Sequence, residues 1–413
     1  MKTLKYTFGL ALVGFVFNGC VGTTIATIDE TEAFSYIKKY EAEYQQIKSN
    51  SQNTEMPVKW IQATNKKEPC KLFIGYNPND DRTLKDGYKI FWDGECKNGY
   101  AYGLGREFEK GFLTNLEAIA LYSGGEKKPE YFIQKDNLSN ITMEGDITNG
   151  NYVKTIIKDD GINFDIWYQY GHFQENIVDI GSFINSNPFS DQITYIKAYP
   201  NFAYVIGDLS NDEFSQYKYN YNMVDGKRKQ LNGFVFSVSK NNIRFASQQN
   251  YGQFVRHVDI PQSYLNHIGN VFNEVKNAGQ VAIDAQKKAL MVKQQYKDII
   301  CKDSVKVDFM DNNEYKAICN EDKKLAELKK KMDTKLAQIE QQKQAKRQQQ
   351  NEQRLIQARE AEANAAMRKA KAAEDANFNQ SIQNFNNNLQ MQQLNNNLMM
   401  NNLMPKRYDV YVH

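Results

Sequence analysis

The chain has 413 residues, with 52 basic and 49 acidic side chains and a net charge of +3. That balance is too even for a nucleic-acid binder, and the length is ample for one sizeable core plus extended structure. Hydrophobic residues make up 41% and include 25 Tyr and 23 Phe, a richness in aromatics that favours β-structure over a disordered chain.

Met1 to Lys5 is a short basic segment, and Tyr6 to Phe17 follows without a charge. This apolar run has the length of a signal-peptide core and is too short for the roughly 20 residues that span a bilayer. It ends at Phe17-Asn18-Gly19-Cys20, which resembles the lipobox of bacterial lipoproteins. Gly19 and Cys20 fit; Phe17 and Asn18 stand where leucine and a small residue are usual. The resemblance implies removal of residues 1–19 and acylation of Cys20. Several acyl chains, at ~0.8 kcal/mol per buried methylene, anchor stably where one does not. An ordinary secretory signal is the alternative. Val21 rather than Asp follows the cysteine, so the resemblance implies the outer membrane more than the inner one, with the exposed side left open.

Residues 20–68 then comprise the anchor, a helix and a tether. Ile37, Tyr40, Tyr44 and Ile47 recur at three- and four-residue steps and predict a helix over 28–47. The polar stretch from Ser49 to Lys67 reads as a lead-in. With Cys20 set aside for lipid, Cys70, Cys96, Cys301 and Cys319 remain, and an exported chain favours bridging them. Local pairing gives Cys70–Cys96 and Cys301–Cys319; two other pairings satisfy the same arithmetic. Each local loop is worth ~3 kcal/mol in the chain-entropy model. A zinc site is the rival, but neither pair has a Cys-x-x-Cys step or a nearby His.

From 69 to 260 the apolar period becomes two, which predicts a β-rich domain with one buried face. Phe164, Ile166, Tyr168 and Tyr170 alternate with Asp165, Trp167 and Gln169. Phe234, Phe236 and Val238, then Lys240-Asn241-Asn242, then Ile243 and Phe245 read as a β-hairpin. Asn77-Pro78, Asp160-Gly161 and Asp225-Gly226 mark turns.

Within this domain, residues 92–111 carry Trp92, Gly94, Asn98, Gly99, Gly103, Gly105 and Gly111 in a spacing that resembles a MORN repeat, a unit of stacked β-hairpins. Asn98-Gly99 supplies a turn with positive φ, and Gly103 and Gly105 are expected to clear room for the next hairpin's aromatic ring. Cys96 stands where the family carries a large apolar residue; a bridge to Cys70 would replace part of the stacking. Tyr122-x-Gly124 and Met143 to Gly150 look like decayed copies. The resemblance implies a role in scaffolding near a membrane.

At Pro261 the period returns to three and four. Leu265, Ile268, Phe272, Val275, Ala278, Ala282, Ala285, Ala289, Val292, Tyr296 and Ile300 form one stripe. A second follows Cys319 through Leu325, Leu328, Met332, Leu336 and Ile339. Residues 261–340 therefore predict an antiparallel helical hairpin capped by the second disulfide. Residues 341–376 keep helix formers and charge while the stripe thins, predicting a charged arm. Residues 377–413 begin with a stretch, 377–404, in which 16 of 28 are Asn or Gln. Phe378, Ile382, Phe385 and Leu389 leave a coiled-coil extension and a disordered tail both open there. Tyr408 to Val412 alternates like an edge strand.

His172, His257 and His267 are scattered without metal-ligand spacing, and Asp308 to Glu314 lacks the loop glycine and spacing of a calcium site. The basic run from Lys323 to Lys371 is interleaved with glutamate, as on a solvated coiled-coil face. No nucleophile or phosphate-binding motif is recognisable. The sequence thus predicts an α+β protein: a β-rich domain with a MORN-like hairpin, a disulfide-capped helical hairpin and a long coiled-coil arm. The expected function is a non-enzymatic, membrane-anchored scaffold or assembly lipoprotein of the bacterial envelope, without cofactor or metal. Its expected partners are the membrane, through Cys20, and an envelope protein or a second copy, through 341–413. The alternative is an envelope enzyme or ligand-binding protein with a pocket in 160–260.

Overall fold

A computed structural model describes residues 26–27, 29–51, 58–75, 87–174, 177–190, 192–199, 202–209, 214–219, 223–224, 227–228, 233–238, 244–250, 253–259, 261–302 and 318–403. Cys20, the 308–314 segment, the Asn77-Pro78, Asp225-Gly226 and 239–243 turns and the 408–412 segment lie outside the described residues. The chain divides into two units, Met1–Asp333 and Thr334–His413.

The first unit opens with β1 (Ala26–Thr27), α1 (Glu30–Ser51), β2 (Val58–Gln62), β3 (Cys70–Gly75), β4 (Lys89–Trp92), β5 (Glu95–Lys97) and β6 (Gly99–Lys110). Then come β7 (Asn115–Ser123), β8 (Glu130–Asp136), β9 (Ile141–Asp146), β10 (Asn151–Asp159), β11 (Phe164–Gln174) and β12 (Ile177–Ser186). β13 (Gln192–Ala198), β14 (Ala203–Leu209), β15 (Phe214–Tyr219), the small hairpin β16 (Met223–Val224) with β17 (Lys227–Arg228), β18 (Gly233–Val238), β19 (Arg244–Asn250) and β20 (Gln253–Asp259) follow. The helices α2 (Gln262–Lys302) and α3 (Glu321–Leu403) come last.

Among the described residues, eighteen strands join in one sheet. From β6 to β15 each strand pairs antiparallel with the next, and β18, β19 and β20 continue the series. β1 closes the far edge, parallel to β20. At the near edge β6 takes β4 and β5 antiparallel and β3 parallel, and β2 lies on β3. The meander follows from the spacing of turn residues: short polar turns can join only antiparallel neighbours. Asp160-Gly161 is one of them, between β10 and β11, where Asp160 accepts the amides of Ile162 and Asn163.

The stripe of α2 is buried as expected, with Ile268, Val275, Ala282, Ala289, Tyr296 and Ile300 all inside. What it buries against corrects the sequence reading. α2 crosses β8 to β13, and Gly279 permits the approach, since a Cβ there would stand 2.4 Å from Ile184. Within the first unit the start of the second stripe is not buried on α2: Leu325 of α3 remains 51% exposed. A sheet offers a continuous apolar face to a helix stripe, and a long helix takes it in preference to one narrow partner. Within the first unit the Cys301–Cys319 disulfide and ion pairs of Lys293 with Glu321 and Lys297 with Asp322 join α2 to the start of α3. Ile318 packs there with Tyr296 and Ile300.

A second correction concerns the polar lead-in before Lys67. Val58–Gln62 forms β2, and its Trp60 and Ile61 pack on a core that includes Leu72, Ile90 and Trp92. Polar flanks obscured a strand whose period is carried by two residues. α1 forms as predicted and sets Ala33 and Ile37 against Phe202, Tyr204 and Tyr264.

In the second unit, the described residues from Thr334 to Leu403 are all helical, continuing α3. The Asn/Gln-rich residues 377–403 belong to this helix. Every residue from 344 to 388 is exposed.

Candidate functional site

The near edge of the sheet gathers most of the motif residues. Trp92, at the end of β4, is fully buried. Asn65 holds its backbone from both sides, donating to the Trp92 carbonyl at 2.8 Å and accepting its amide at 3.0 Å. The Trp92 indole donates to the Glu95 carbonyl at 2.8 Å and meets Tyr122 edge-on at 5.0 Å. Asn98 and Gly99 have φ of 52° and 83° and turn β5 into β6, the pair of positive values that a two-residue hairpin turn requires.

Gly94 and Gly105 lie against the Trp92 ring: a Cβ on either would fall 2.5–2.6 Å from it. The cleared room therefore serves the hairpin's own ring. Gly103 clears nothing, since a Cβ there would meet no atom within 4 Å; it supplies a φ of 78° instead. Gly111 begins the β6–β7 turn, its amide donating to the Thr114 carbonyl at 2.8 Å. The Cys70–Cys96 disulfide, with Cα atoms 5.4 Å apart, ties β3 to β5 across the same core.

Behind the ring lies a group that the sequence reading missed. Glu107 and Glu109, two residues apart on β6, share one face; Glu107 is buried and Glu109 half-buried. The Tyr122 hydroxyl donates to Glu107 Oε2 at 2.7 Å and the Tyr131 hydroxyl reaches the same oxygen at 3.3 Å. Tyr88 donates to Glu109 Oε2 at 2.8 Å. The Phe73 amide of β3 donates to the Tyr122 hydroxyl at 3.3 Å. Burial, and then the charge of Glu109, holds the Glu107 carboxyl well above the usual range. Glu109 is raised as well, again chiefly by burial. Two carboxyls this close retain a proton between them, and the pair stitches β6 to β3, β7 and β8. The available signal was the period: Glu107 and Glu109 fall on the same side as Gly103 and Gly105, a side already covered by an aromatic ring.

On the opposite face Asp93 links this edge to α2. It accepts the Tyr296 hydroxyl and the Arg106 amide. Burial raises it to about 6, against the lowering effect of those two bonds. Arg106 pairs in turn with Glu117.

The histidines stay apart. His172 bonds Asn151 at 3.0 Å, His267 bonds Tyr204 at 3.0 Å, and His257 lies beside the Phe254 ring. Among the described residues no group of three or more His, Cys, Asp or Glu is arranged to hold a metal ion. No described helix is long and apolar enough to cross a membrane. On the distal part of α3, Phe378 and Phe385 are 66% and 65% exposed, with Ile382 between them at 43%. No protein-family model matches the chain, and no curated protein matches it in sequence.

Proposed function

We propose that the protein is a membrane-anchored scaffold or assembly lipoprotein of the bacterial envelope, held by acylated Cys20 and engaging a protein partner through residues 341–413. The observation that carries this reading is the arm. A helix whose residues 344–388 are all exposed buries nothing of its own, yet isolated helices owe their persistence in water chiefly to packing. Phe378, Ile382 and Phe385 stand at four- and three-residue steps, the spacing of a coiled-coil seam. Large apolar side chains exposed in such a row mark an interaction surface.

The sheet with its crossing helix is the body that presents this arm. Its near edge, with Trp92 over Gly94 and Gly105 and a turn at Asn98-Gly99, supports the likeness to a MORN-type hairpin, and the successive hairpins of the meander are the arrangement such repeats build. The lipobox at Cys20 supports an outer-membrane address.

Crosslinking in cells followed by capture of the chain, with and without residues 341–413, tests the reading. The scaffold reading expects partners or second copies that disappear with the arm. Partners unchanged by truncation would refute it. Separately, Cys20→Ser should release the protein from the membrane fraction or leave it unprocessed.

A further inference from the structure

The distal apolar residues of α3 fall on a heptad repeat. Phe378, Ile382, Phe385 and Leu389 open it at steps of four, three and four, and the same steps carried on reach Gln392, Asn396, Met399 and Leu403. The helix runs unbroken through Leu403, so the repeat follows one side of it for about 38 Å. Phe378, Ile382 and Phe385, which lie on this line, are exposed.

Charge decides what can cover the line. Between Asp375 and Lys406 the chain carries no charged side chain, and Asn379, Ser381, Asn386, Asn388, Gln393 and Asn395 occupy the flanking positions. A coiled-coil partner of different sequence is selected by opposite charge across these flanks, and this segment offers none. Identical copies need no such selection. Without charge they do not repel, and an amide is donor and acceptor at once, so Asn or Gln bonds its own counterpart.

The order of residues also sets the direction. Aligned parallel and in register, each apolar position on the line meets its counterpart, and Gln392 and Asn396 meet theirs; polar residues placed so within a seam fix its register. Reversed about the 378–389 group, the line sets Met399 against Arg368 and Leu403 against Asn364. Reversed about its own middle, it sets Phe385 against Asn396 and Leu389 against Gln392. Both reversals leave apolar side chains facing polar ones. Carried upstream, the same repeat places Asp375, Lys371, Arg368 and Arg354 on the line, where identical parallel copies repel. The pairing therefore ends near Ala376.

We propose that residues 376–404 form the seam of a parallel, in-register pair with a second copy of this chain, packed through Phe378, Ile382, Phe385, Leu389, Met399 and Leu403. The inference rests on the reading of the arm as the interaction element, and names its partner.

The test is sedimentation of the full chain across a range of concentrations in a mild non-ionic detergent, with circular dichroism to follow the helix. The parent should dimerise. Phe385→Asp sets two like charges together in the seam and should weaken the dimer roughly a hundredfold or more. Phe385→Leu and Asn387→Asp, the latter on the outer side of the helix, should leave it within about threefold. Ile382→Cys should crosslink to its own counterpart under oxidation, while Asn387→Cys should not exceed the parent. A parent that is monomeric at every concentration overturns the proposal, as does a dimer undiminished by Phe385→Asp or an assembly that gains β-structure. Crosslinking that requires Ile382→Cys in one copy and Phe385→Cys in the other shows an antiparallel pair and also overturns it. Failure of the wider reading looks different: capture from cells is then unchanged by removal of 341–413, whereas a monomeric chain that still captures another protein through the arm refutes only the self-pairing.

Discussion

The near edge of the sheet and the distal arm use the same amino-acid alphabet to opposite ends. Around Trp92 the chain is stapled by Cys70–Cys96, closed by a turn of two positive φ values, and sealed by five side chains that share the hydrogen bonds of a buried carboxyl pair. Along residues 344–388 every side chain is exposed and the order rests on helix propensity alone. The first region spends its apolar residues on itself; the second leaves Phe378, Ile382 and Phe385 facing outward. Stability is therefore expected to reside in the sheet and recognition in the arm.

The largest effect expected from breaking this contrast is at Trp92. Trp92→Ala removes a fully buried ring from between Gly94, Gly105 and Tyr122 and should cost about 3–5 kcal/mol, measured by urea denaturation. A comparable substitution in the arm, Phe385→Ala, should leave the denaturation midpoint unchanged. A loss at Phe385 equal to that at Trp92 would erase the distinction.

Next in size is the staple. Replacing Cys70 and Cys96 together by serine should lower stability by ~3 kcal/mol, the loop-closure value for the unfolded chain. The same replacement at Cys301 and Cys319 should in addition free the start of α3 from α2, visible as faster hydrogen exchange over 318–330. Equal exchange there with and without the second bridge would mean that the ion pairs at Lys293 and Lys297 suffice.

A smaller effect is expected from pH. Because the folded Glu107 carboxyl is held above its ordinary value of 4.5 by burial and by Glu109, the folded state keeps a proton that the unfolded chain gives up. The associated stability is fully present below pH 4.5 and is lost as pH rises through the folded value. Melting temperature should therefore fall between mildly acidic and mildly alkaline pH. Glu107→Gln should flatten most of that slope and melt above the parent at alkaline pH. An unchanged slope in the variant would show that the pair is not the group responsible.

Much of this architecture is legible in the residues. The stripe from Leu265 to Ile300, the Asn98-Gly99 turn and the alternation in β11 each follow from local spacing, which a single segment is enough to reveal; of the three cysteine pairings the sequence allows, the local one forms. The parts that escaped depend on what a segment faces. The α2 stripe reads the same whether a helix or a sheet covers it. Glu107 and Glu109 read as the solvent side of β6, because alternation with Phe108 implies one wet face; β3 and the Tyr122 and Tyr131 rings make that face interior. Val58–Gln62 was hidden for a related reason, its strand being revealed only by the partner it pairs with. Gly103 and Gly105 look equivalent in the motif, and only the position of the Trp92 ring separates a residue needed for its φ from one needed for its missing Cβ.

The most direct test of the account is to compare the full chain with one ending at residue 340, by thermal melting and by sedimentation across a range of concentrations. The same cooperative melting temperature is expected for both, with concentration-dependent association, or binding to an envelope protein, in the full chain alone. A full chain that stays monomeric, binds nothing in envelope extract and melts far above the truncated one would contradict it, because the arm would then be packing on its own body.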